Sequence, residues 1–336
     1  MIIQLEKDLK EQYKQGIINK VISEGFTITE VKTQMAAYLI CISKNNIDIR
    51  KIGSLPGVMD VHIISDSYQL VSAKWKLRPS SISVGDVQIG NTDFTIMAGP
   101  CAIENESQVW SIAKHLVDNG VQIMRGGVFK PRSSPYAFQG LGKEGLVMFY
   151  KICKQHGLKI ISEVMEVDQI DQMCDLVDIF QVGARNSQNF NLLHALGKTD
   201  KPVLIKRGTS GTIDELLQSA EYVFSSGNEK LILCERGIRT FENASRNTFD
   251  INAIPILKKK SHLPVIADPS HGIGIREHVT AIALAAIVAG ADGLIYEVHK
   301  NPEEALSDGQ QTLSFNESAT LLKKIGQLSH VFKLPI

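Results

Sequence analysis

The chain has 336 residues, more than one domain usually contains, and this length predicts two domains. Hydrophobic residues make up 43% and charged residues 21%, as in ordinary folded globular proteins. Lys plus Arg and Asp plus Glu each total 36, so no global charge attracts nucleic acid or an anionic membrane, and an anionic substrate must be bound by locally concentrated positive charge.

The cysteines and the apolar segments predict the cellular compartment. The five cysteines are scattered without paired spacing, which favours a reducing compartment over a disulfide framework. The N-terminus lacks the basic and apolar segments of a signal peptide. The longest apolar stretch, near Ala281–Ala291, is shorter than the roughly 20 residues that span a bilayer. We therefore expect a cytoplasmic protein without a membrane segment.

Residues 1–65 are predicted to form a small ferredoxin-like domain. Its elements follow the order βαββαβ, with turns at Gly25 and Pro56–Gly57. The predicted elements are Ile2–Leu5, Leu9–Ser23, Phe26–Val31, Ala37–Ile42, Ile47–Ser54 and Val58–Ile64. Such domains bind small effectors or serve in oligomerisation and packing, and the residues leave both roles open.

Residues 66–93 are predicted to be a linker that contains a β-hairpin. The short runs Ile82–Val84 and Val87–Ile89 flank Gly85–Asp86, a pair that suits a tight turn. One placement for this hairpin is over the N-terminal end of the domain that follows.

Residues 94–336 alternate strand and helix signals and predict a (β/α)₈ TIM barrel. Eight strands and eight helices in about 240 residues match the usual size of this fold. The predicted strands are Phe94–Pro100, Val121–Gly127, Lys159–Val164, Ile179–Ala184, Pro202–Arg207, Leu231–Arg236, Pro264–His271 and Asp292–Val298. An open doubly wound sheet is the alternative, but no G-x-G-x-x-G motif follows any strand.

Nearly every predicted strand ends in a polar residue. A buried parallel strand should be apolar throughout, so a charge at one end needs a reason, and a barrel provides it because the C-terminal ends of its strands surround one mouth. The cations at these ends are Arg125, Lys130, Arg132, Arg185, Lys206, Arg207 and Arg236. Any single arginine is most often a surface ion pair, but the set would repel itself without an anion, and phosphate fits it best. The number of cations favours two phosphates.

Two turns add to the phosphate prediction. Lys130–Pro135 contains two prolines, so the charges of Lys130 and Arg132 and the hydroxyl of Ser133 are presented with little freedom left to lose. Thr212, with Glu215 three residues later, predicts a helix capping box. The free amides of the Thr209–Thr212 turn are equally suited to a phosphate.

Four further residues predict a metal site. Cys101, His271 and Glu297 end the first, seventh and eighth predicted strands, and Asp308 follows the eighth. No local spacing announces a metal motif, and a cysteine like Cys101 is usually a core thiol. In a closed barrel, however, these strands are neighbours, and one thiolate, one imidazole and two carboxylates suit a divalent transition metal. Cys234 is predicted to be a core residue, and His299 a minor candidate near the metal ligands.

The sequence resembles 3-deoxy-D-arabino-heptulosonate 7-phosphate (DAHP) synthase, the first enzyme of the shikimate pathway, in its short-chain type I form with an N-terminal ferredoxin-like domain. The resemblance extends from about residue 94 to the C-terminus, whereas residues 1–65 match only in pattern. The motifs that carry it are Ala98-Gly-Pro-Cys101, Arg125-Gly-Gly, Lys130-Pro-Arg-Ser-Ser-Pro, Phe138-Gln-Gly, Gln181-Val-Gly-Ala-Arg-Asn, Ile205-Lys-Arg-Gly, Cys234-Glu-Arg-Gly-Ile-Arg-Thr and Asp268-Pro-Ser-His271.

The resemblance implies condensation of phosphoenolpyruvate with erythrose 4-phosphate. It implies that phosphoenolpyruvate is bound by Arg125, Lys130, Arg185, Lys206 and Arg236, and the sugar phosphate by Lys130, Arg132 and Ser133. It implies a divalent metal ion (Mn, Fe, Co, Zn or similar) on Cys101, His271, Glu297 and Asp308. Lys130 is expected to protonate the aldehyde oxygen, and Glu163 to orient water or a neighbouring lysine. A homotetramer and regulation by an aromatic amino acid or late pathway intermediate are also expected.

Three other functions are weighed against this one. The related synthase of 3-deoxy-D-manno-octulosonate 8-phosphate typically has Lys-Ala-Asn-Arg-Ser where this chain has Lys130-Pro-Arg-Ser-Ser. A catalytically inactive barrel that senses aromatic metabolites would be expected to lack site residues, and none is missing. A Schiff-base aldolase that uses Lys206 would work without a metal.

Overall fold

The computed structural model describes residues 1–43, 48–76, 78–90, 94–130 and 134–332, with side chains described as far as residue 328. No helix in this described part of the chain is both long and apolar enough to cross a membrane.

The N-terminal residues form a four-stranded antiparallel sheet with two helices. Its elements are β1 (Ile2–Leu5), α1 (Glu11–Ser23), β2 (Thr27–Lys32), β3 (Ala37–Ile42), α2 (Ile49–Gly53) and β4 (Val58–His62). The strand order β2-β3-β1-β4 is that of the predicted ferredoxin-like arrangement. Alternate residues of β1 and β3, such as Ile3 and Leu39, pack with Ile17, Val21 and Ile52 of the helices.

The strands from residue 95 onward close into an eight-stranded parallel barrel, which confirms the predicted fold class. The strands are β7 (Thr95–Gly99), β8 (Ile123–Arg125), β9 (Lys159–Val164), β10 (Ile179–Val182), β11 (Val203–Lys206), β12 (Leu231–Glu235), β13 (Val265–Ala267) and β14 (Gly293–Glu297). Each pairs with its neighbour in parallel, and β14 returns to β7. The helices are α3 (Glu106–Asp118), α4 (Gly142–Gln155), α5 (Val167–Met173), α6 (Phe190–Gly197), α7 (Ile213–Ser225), α8 (Ala253–Lys260), α9 (Pro269–Ile273), α10 (Arg276–Val288) and α11 (Phe315–Phe332).

One predicted strand end is wrong by more than two residues, and it concerns His271. Strand β13 stops at Ala267, and His271 lies in the short helix α9. The cause is local: Pro269 cannot donate to a β ladder but fits the first turn of a helix. The Asp268 side chain accepts the His271 amide and caps that helix.

A two-stranded hairpin lies over the N-terminal end of the barrel. It consists of β5 (Ile82–Val84) and β6 (Val87–Ile89), as predicted. The hairpin side chains pack in one apolar cluster with inward-facing strand residues such as Met97 and Ile123. Lys159, the first residue of β9, bonds Asp86 in the hairpin turn at 2.8 Å. Chemistry is thereby confined to the other, C-terminal end.

A buried histidine attaches the connector to the barrel. His262 is 3% exposed; its Nδ1 lies 2.9 Å from the Ser80 hydroxyl and its Nε2 2.9 Å from the Leu70 carbonyl. The bond to a carbonyl requires hydrogen on Nε2, so Nδ1 accepts from Ser80. Burial, assisted by the charge of Lys76, lowers the pKa of His262 to about 3.

We expect His262 to make the fold sensitive to acid. The unfolded chain takes up this proton near pH 6.5, whereas the folded chain resists it until about pH 3, so stability is lost as the pH falls through this window. The loss should reach about 2.7 kcal/mol by about pH 4.5. Denaturant titrations of His262→Gln should show a flatter pH dependence there. An unchanged pH dependence of the free energy of unfolding in His262→Gln would contradict this expectation. His278→Gln, on the exposed face of α10, is the control.

Candidate active site

A cavity of about 280 Å³ opens at the C-terminal ends of the barrel strands. Such ends carry the active site in TIM-barrel enzymes. The lining residues are Arg125, Lys130, Glu163, Gln181, Gly183, Ala184, Arg185, Lys206, Thr209, Arg236, Arg239, Arg246, Asn247, His271 and Asp308. Seven of them are Arg or Lys, so the cavity is strongly cationic.

Four of these cations have no carboxylate partner within the described residues: Lys130, Arg185, Arg236 and Arg239. Arg236 is 5% exposed, and its only hydrogen bond there is from Nη1 to the Gly237 carbonyl, at 3.3 Å. Burial lowers the pKa of Arg236, so its charge is held at a cost that an anion would relieve. Neither Lys130 nor Arg185 forms an ion pair with a described residue. Arg185 lies in the 3₁₀ turn Ala184–Asn186 that follows β10.

Two other cations are already paired with acids. Arg125, the last residue of β8, donates from Nη1 to Glu297 at 3.0 Å and to the Pro100 carbonyl at 2.9 Å. Lys206, the last residue of β11, bonds Asp268 at 2.5 Å. All four of these side chains are at least nine-tenths buried.

Arg207, which was predicted to join this set, does not line the cavity. Successive residues of a strand point to opposite faces, so Lys206 faces the barrel interior and Arg207 faces away. Its Nη1 bonds Glu235 and Asp250, both at 2.9 Å, and its Nε donates to the Gly211 carbonyl. Arg207 is therefore a structural ion pair behind the cavity.

The four predicted metal ligands come together on the β13–β14–β7 side. Cys101 Sγ lies 3.4 Å from Asp308 Oδ2, and single ligand atoms of Cys101, Glu297 and Asp308 all lie within 4.8 Å of one another. His271 Nε2 lies 3.6 Å from Glu297 Oε1 and 3.9 Å from Asp308 Oδ2. The thiol and the imidazole thus each lie close to the same two carboxylates.

The state of His271 suits metal binding. Its Nδ1 lies 2.8 Å from Asp268 Oδ2, which leaves Nε2 directed at the carboxylates. Burial lowers the pKa of His271, although Asp268 and Glu297 oppose this effect, so the ring is neutral near pH 7. Metal-bound histidines usually have a carboxylate or carbonyl beside their second nitrogen, which orients the ring. Asp268 is therefore a candidate site residue that the sequence prediction missed.

The charges and backbone of the cluster also fit a cation. Burial raises the pKa of the Cys101 thiol to about 11, and the nearby Glu297 charge adds to this effect. Despite its burial, Asp308 has a pKa of about 2, because Arg246 and His271 favour its charged form. Asp308 is also the one non-glycine among the described residues with a positive φ, 54°. Backbone strain of this kind is concentrated at functional sites.

Lys130 connects the cationic cavity with the metal-competent cluster. It is 8% exposed, and its Nζ donates to the Cys101 carbonyl at 2.9 Å and lies 3.2 Å from Cys101 Sγ. Glu163 lines the cavity next to Gly183, where a Cβ would lie 1.9 Å from the Glu163 carboxylate. Arg132 and Ser133 lie outside the described residues.

The remaining sequence candidates lie in or beside the cavity as follows. The capping box of Thr212 and Glu215 is confirmed, while Thr209 lines the cavity. Cys234 is a fully buried residue of the barrel core, as predicted. His299 does not line the cavity, and its Nδ1 lies 2.8 Å from the Asn301 carbonyl.

Arg239, Arg246 and Asn247 were also missed. They lie in the irregular loop after β12, where no periodicity indicates which side chains turn inward.

Comparisons with known proteins identify the family of this chain. Residues 63–333 match the family model "DAHP synthetase I family". Phospho-2-dehydro-3-deoxyheptonate aldolase of Thermotoga maritima is 48% identical over 279 residues, which cover 83% of this chain and 82% of that protein. 2-Dehydro-3-deoxyphosphooctonate aldolase of Geobacter sulfurreducens is 32% identical over 273 residues, 75% of this chain and 98% of that protein.

Solved structures give the same result over nearly the whole chain. The crystal structure of the Thermotoga maritima DAHP synthase superposes with a TM-score of 0.80 at 42% identity and covers 99% of this chain and 98% of that one. A truncated form of the Thermotoga maritima enzyme has a TM-score of 0.75 at 44% identity and covers 80% of this chain and 98% of that one. The chain therefore belongs to the DAHP synthetase I family and is an enzyme, a transferase of the shikimate pathway.

Proposed function

We propose that the enzyme condenses phosphoenolpyruvate with erythrose 4-phosphate to give DAHP and inorganic phosphate. The observation that carries this proposal is the cavity in which Lys130, Arg185 and Arg236 lack carboxylate partners beside a cluster of four metal-competent side chains. Lys130 and Arg236 are buried and Arg185 is exposed at the cavity. Buried cations without a carboxylate partner call for an anionic ligand, and guanidinium groups bind phosphate and carboxylate in bidentate fashion.

Cys101, His271, Glu297 and Asp308 would hold a divalent transition metal ion such as Mn, Fe, Co or Zn. The mixture of sulfur, nitrogen and oxygen donors supports this class of metal over magnesium or calcium. When bound, such an ion polarises a carbonyl as a Lewis acid.

The cations of the cavity would bind the two substrates. Phosphoenolpyruvate carries a phosphate and a carboxylate, which Arg125, Lys130, Arg185, Lys206 and Arg236 would bind. Lys130, Arg132 and Ser133 would bind the phosphate of the aldose. Holding both substrates in one orientation contributes up to about 7–11 kcal/mol in ideal cases.

The chemistry follows from this arrangement. Carbon 3 of phosphoenolpyruvate attacks the aldehyde carbon and forms the new C–C bond. Lys130, at the boundary between the cations and the cluster, donates a proton to the aldehyde oxygen as it becomes an alkoxide. Water, oriented by Glu163 directly or through a neighbouring lysine, adds to carbon 2, and one of its protons replaces the proton that Lys130 gave up. The bond between carbon 2 and the phosphate oxygen then breaks, the carbon 2 hydroxyl becomes a carbonyl, and its proton leaves with inorganic phosphate.

A phosphate-release assay tests the proposal. A seven-carbon product requires a four-carbon aldose phosphate and an eight-carbon product a five-carbon one, because phosphoenolpyruvate supplies three carbons. We expect release with phosphoenolpyruvate and erythrose 4-phosphate that a chelator abolishes and added Mn²⁺ restores. A preference for a five-carbon aldose 5-phosphate would favour the octulosonate synthase instead, a reaction for which relatives 31–32% identical are named.

The same assay distinguishes a Schiff-base aldolase and an inactive sensor from the proposed enzyme. Activity that survives the chelator and is trapped on Lys206 by borohydride would indicate a Schiff-base aldolase. No phosphate release with any aldose phosphate would favour an inactive sensor.

We further propose that the chain forms a homotetramer and that residues 1–65 bind an aromatic amino acid or a late pathway intermediate. The N-terminal sheet contacts the barrel where Tyr38 packs edge-to-face on Trp75 and Phe224, at 5.5 and 5.9 Å between ring centres. Thr33 also donates a hydrogen bond to the buried Glu229 at 2.5 Å. Through these contacts, an effector bound to the N-terminal sheet would alter the barrel.

Removing residues 1–65 should abolish such inhibition and leave condensation activity. The barrel strands all lie in the remaining chain, and the structure of a truncated relative that covers 80% of this chain has been solved. Inhibition curves for phenylalanine, tyrosine, tryptophan and chorismate on both chains give the comparison. The same curves for the truncated and the complete chain would contradict the proposal.

A further inference from the structure

Arg246 contacts two residues of the loop after β14. Its Nη1 lies 3.4 Å from Asp308 Oδ1, whereas Asp308 Oδ2 is the oxygen that faces Cys101 Sγ, at 3.4 Å. One oxygen of this carboxylate is thus occupied by the guanidinium, and the other is left for the cluster. Arg246 also donates from Nη1 to Gln311 Oε1 at 2.5 Å.

Gln311 extends this contact to a second carboxylate. Its side chain is completely buried, and its Nε2 donates to Glu297 Oε2 at 2.7 Å. The other oxygen, Glu297 Oε1, faces Arg125 and His271. Because Arg246 can only donate, it fixes Gln311 with its oxygen toward the guanidinium and its amide nitrogen toward Glu297. The opposite amide orientation would place two oxygens against each other.

The backbone that carries Arg246 is fixed to the helix of His271. The Arg246 amide donates to the Ile273 carbonyl at 3.1 Å, and Asn247 Nδ2 donates to the His271 carbonyl at 2.8 Å. Gly274 ends helix α9 with φ 72°, and a Cβ there would lie 2.2 Å from Arg246 Cβ. Glycine thus satisfies both the turn and the close approach of the loop.

We propose that Arg246 and Gln311 are positioning residues of the metal centre, which orient the carboxylates of Asp308 and Glu297 toward Cys101 and His271. The inference rests on the proposed metal site. Arg246 lies in the loop after β12, which begins at Arg236, a proposed phosphoenolpyruvate-binding residue. The same loop would therefore bind the anionic substrate and orient the metal ligands. Partners that orient metal ligands typically change metal affinity by about 10–100-fold when replaced.

Co²⁺ binding to the full-length, metal-stripped protein tests the inference without any substrate. Thiolate-to-cobalt charge transfer reports Cys101, and the d–d absorption reports the arrangement of the other ligands. Arg246→Met and Gln311→Leu should each weaken Co²⁺ binding by at least about tenfold and change the d–d spectrum. The double variant should lose less Co²⁺ affinity than the product of the two single effects. Both substitutions act on Glu297 through the same series of hydrogen bonds, from Arg246 to Gln311 to Glu297. Arg246→Lys, which keeps a donor, should fall between the wild type and Arg246→Met.

Two controls make the result decisive. Arg239 lies in the same loop, but its guanidinium has no described contact with a ligand carboxylate. Arg239→Met should therefore keep Co²⁺ affinity within about twofold of the wild type, as expected for a residue that is not coupled to the metal site. Cys101→Ala tests the metal site itself. Wild-type Co²⁺ affinity and spectra in Arg246→Met, with binding lost in Cys101→Ala, would overturn the inference and leave the proposed function intact. Unchanged binding in Cys101→Ala would overturn both. Thermal unfolding of each metal-free variant excludes a folding defect, and Arg246→Lys remains as a test if Gln311→Leu does not fold.

Discussion

Cys101→Ala should abolish metal binding and lower the rate of condensation by about 10³-fold or more while the fold is retained. Loss of the Lewis acid removes several kcal/mol of transition-state stabilisation, and about 4 kcal/mol corresponds to that factor. The fold should persist because Cys101 follows β7 in a loop and the truncation removes one sulfur atom from a polar cluster, not from the apolar core. Metal content after dialysis, phosphate release and circular dichroism measure the three effects.

Cys174→Ala is the matched control for this experiment. Cys174 is a partly buried thiol next to helix α5, far along the chain from every cluster residue. The Cys174→Ala variant should bind metal and turn over like the wild type. Full activity of metal-free Cys101→Ala protein would show that the thiol is not a ligand of a required metal.

Lys130→Met should lower kcat by about 10²–10⁴-fold, the range for loss of a positioned proton donor. It should also raise the KM for phosphoenolpyruvate, because one of the four cavity cations without a described carboxylate partner disappears. Methionine has nearly the shape of the lysine stem, so the buried position stays filled. Steady-state kinetics with each substrate varied in turn separate the two effects.

The charge and the proton can be separated with Lys130→Arg. Arginine keeps the positive charge but does not release a proton at neutral pH, so phosphoenolpyruvate binding should recover more than kcat. Lys143→Met, on the exposed surface of α4, controls for the loss of a lysine from the same region. A kcat for Lys130→Met within tenfold of the wild type would argue against the proton-donor role.

The sequence predicted those parts of the fold that depend on local patterns. Buried parallel strands are continuous apolar runs, so β11 and β12 stand out directly, and the polar residue that ends each run indicates the mouth of a barrel. The capping box of Thr212 and Glu215 is set by two residues three apart, and it too was predicted. Both features are encoded within a few neighbouring residues.

The errors lie where a local pattern has two readings. The run through Pro264–His271 looks like one strand, but Pro269 ends it and a helix carries His271 instead. Lys206 and Arg207 both follow an apolar run, yet the alternation of a strand directs only one of them inward. The helical position of His271 follows from a stricter use of the proline rule, and the outward direction of Arg207 follows from a stricter use of the alternation rule.

The missed residues depend on contacts that no local pattern encodes. Arg246 and Gln311 are 65 residues apart and lie in irregular segments, so nothing in their neighbourhood indicates that they meet. Asp268 could be found from the sequence, because it begins the Asp-Pro-Ser-His271 segment and precedes a proline as a helix cap does. Its second role, holding Lys206 and His271, requires the closed barrel.

The most direct test of the account is an anomalous-scattering experiment on crystals of the full-length protein soaked with Mn²⁺ and phosphoenolpyruvate. We expect one strong Mn²⁺ peak bounded by Cys101, His271, Glu297 and Asp308, with the phosphate of phosphoenolpyruvate against Arg185 and Arg236 in the same cavity. A Mn²⁺ peak elsewhere, or no peak, together with phosphoenolpyruvate bound outside this cavity, would contradict the proposed active site.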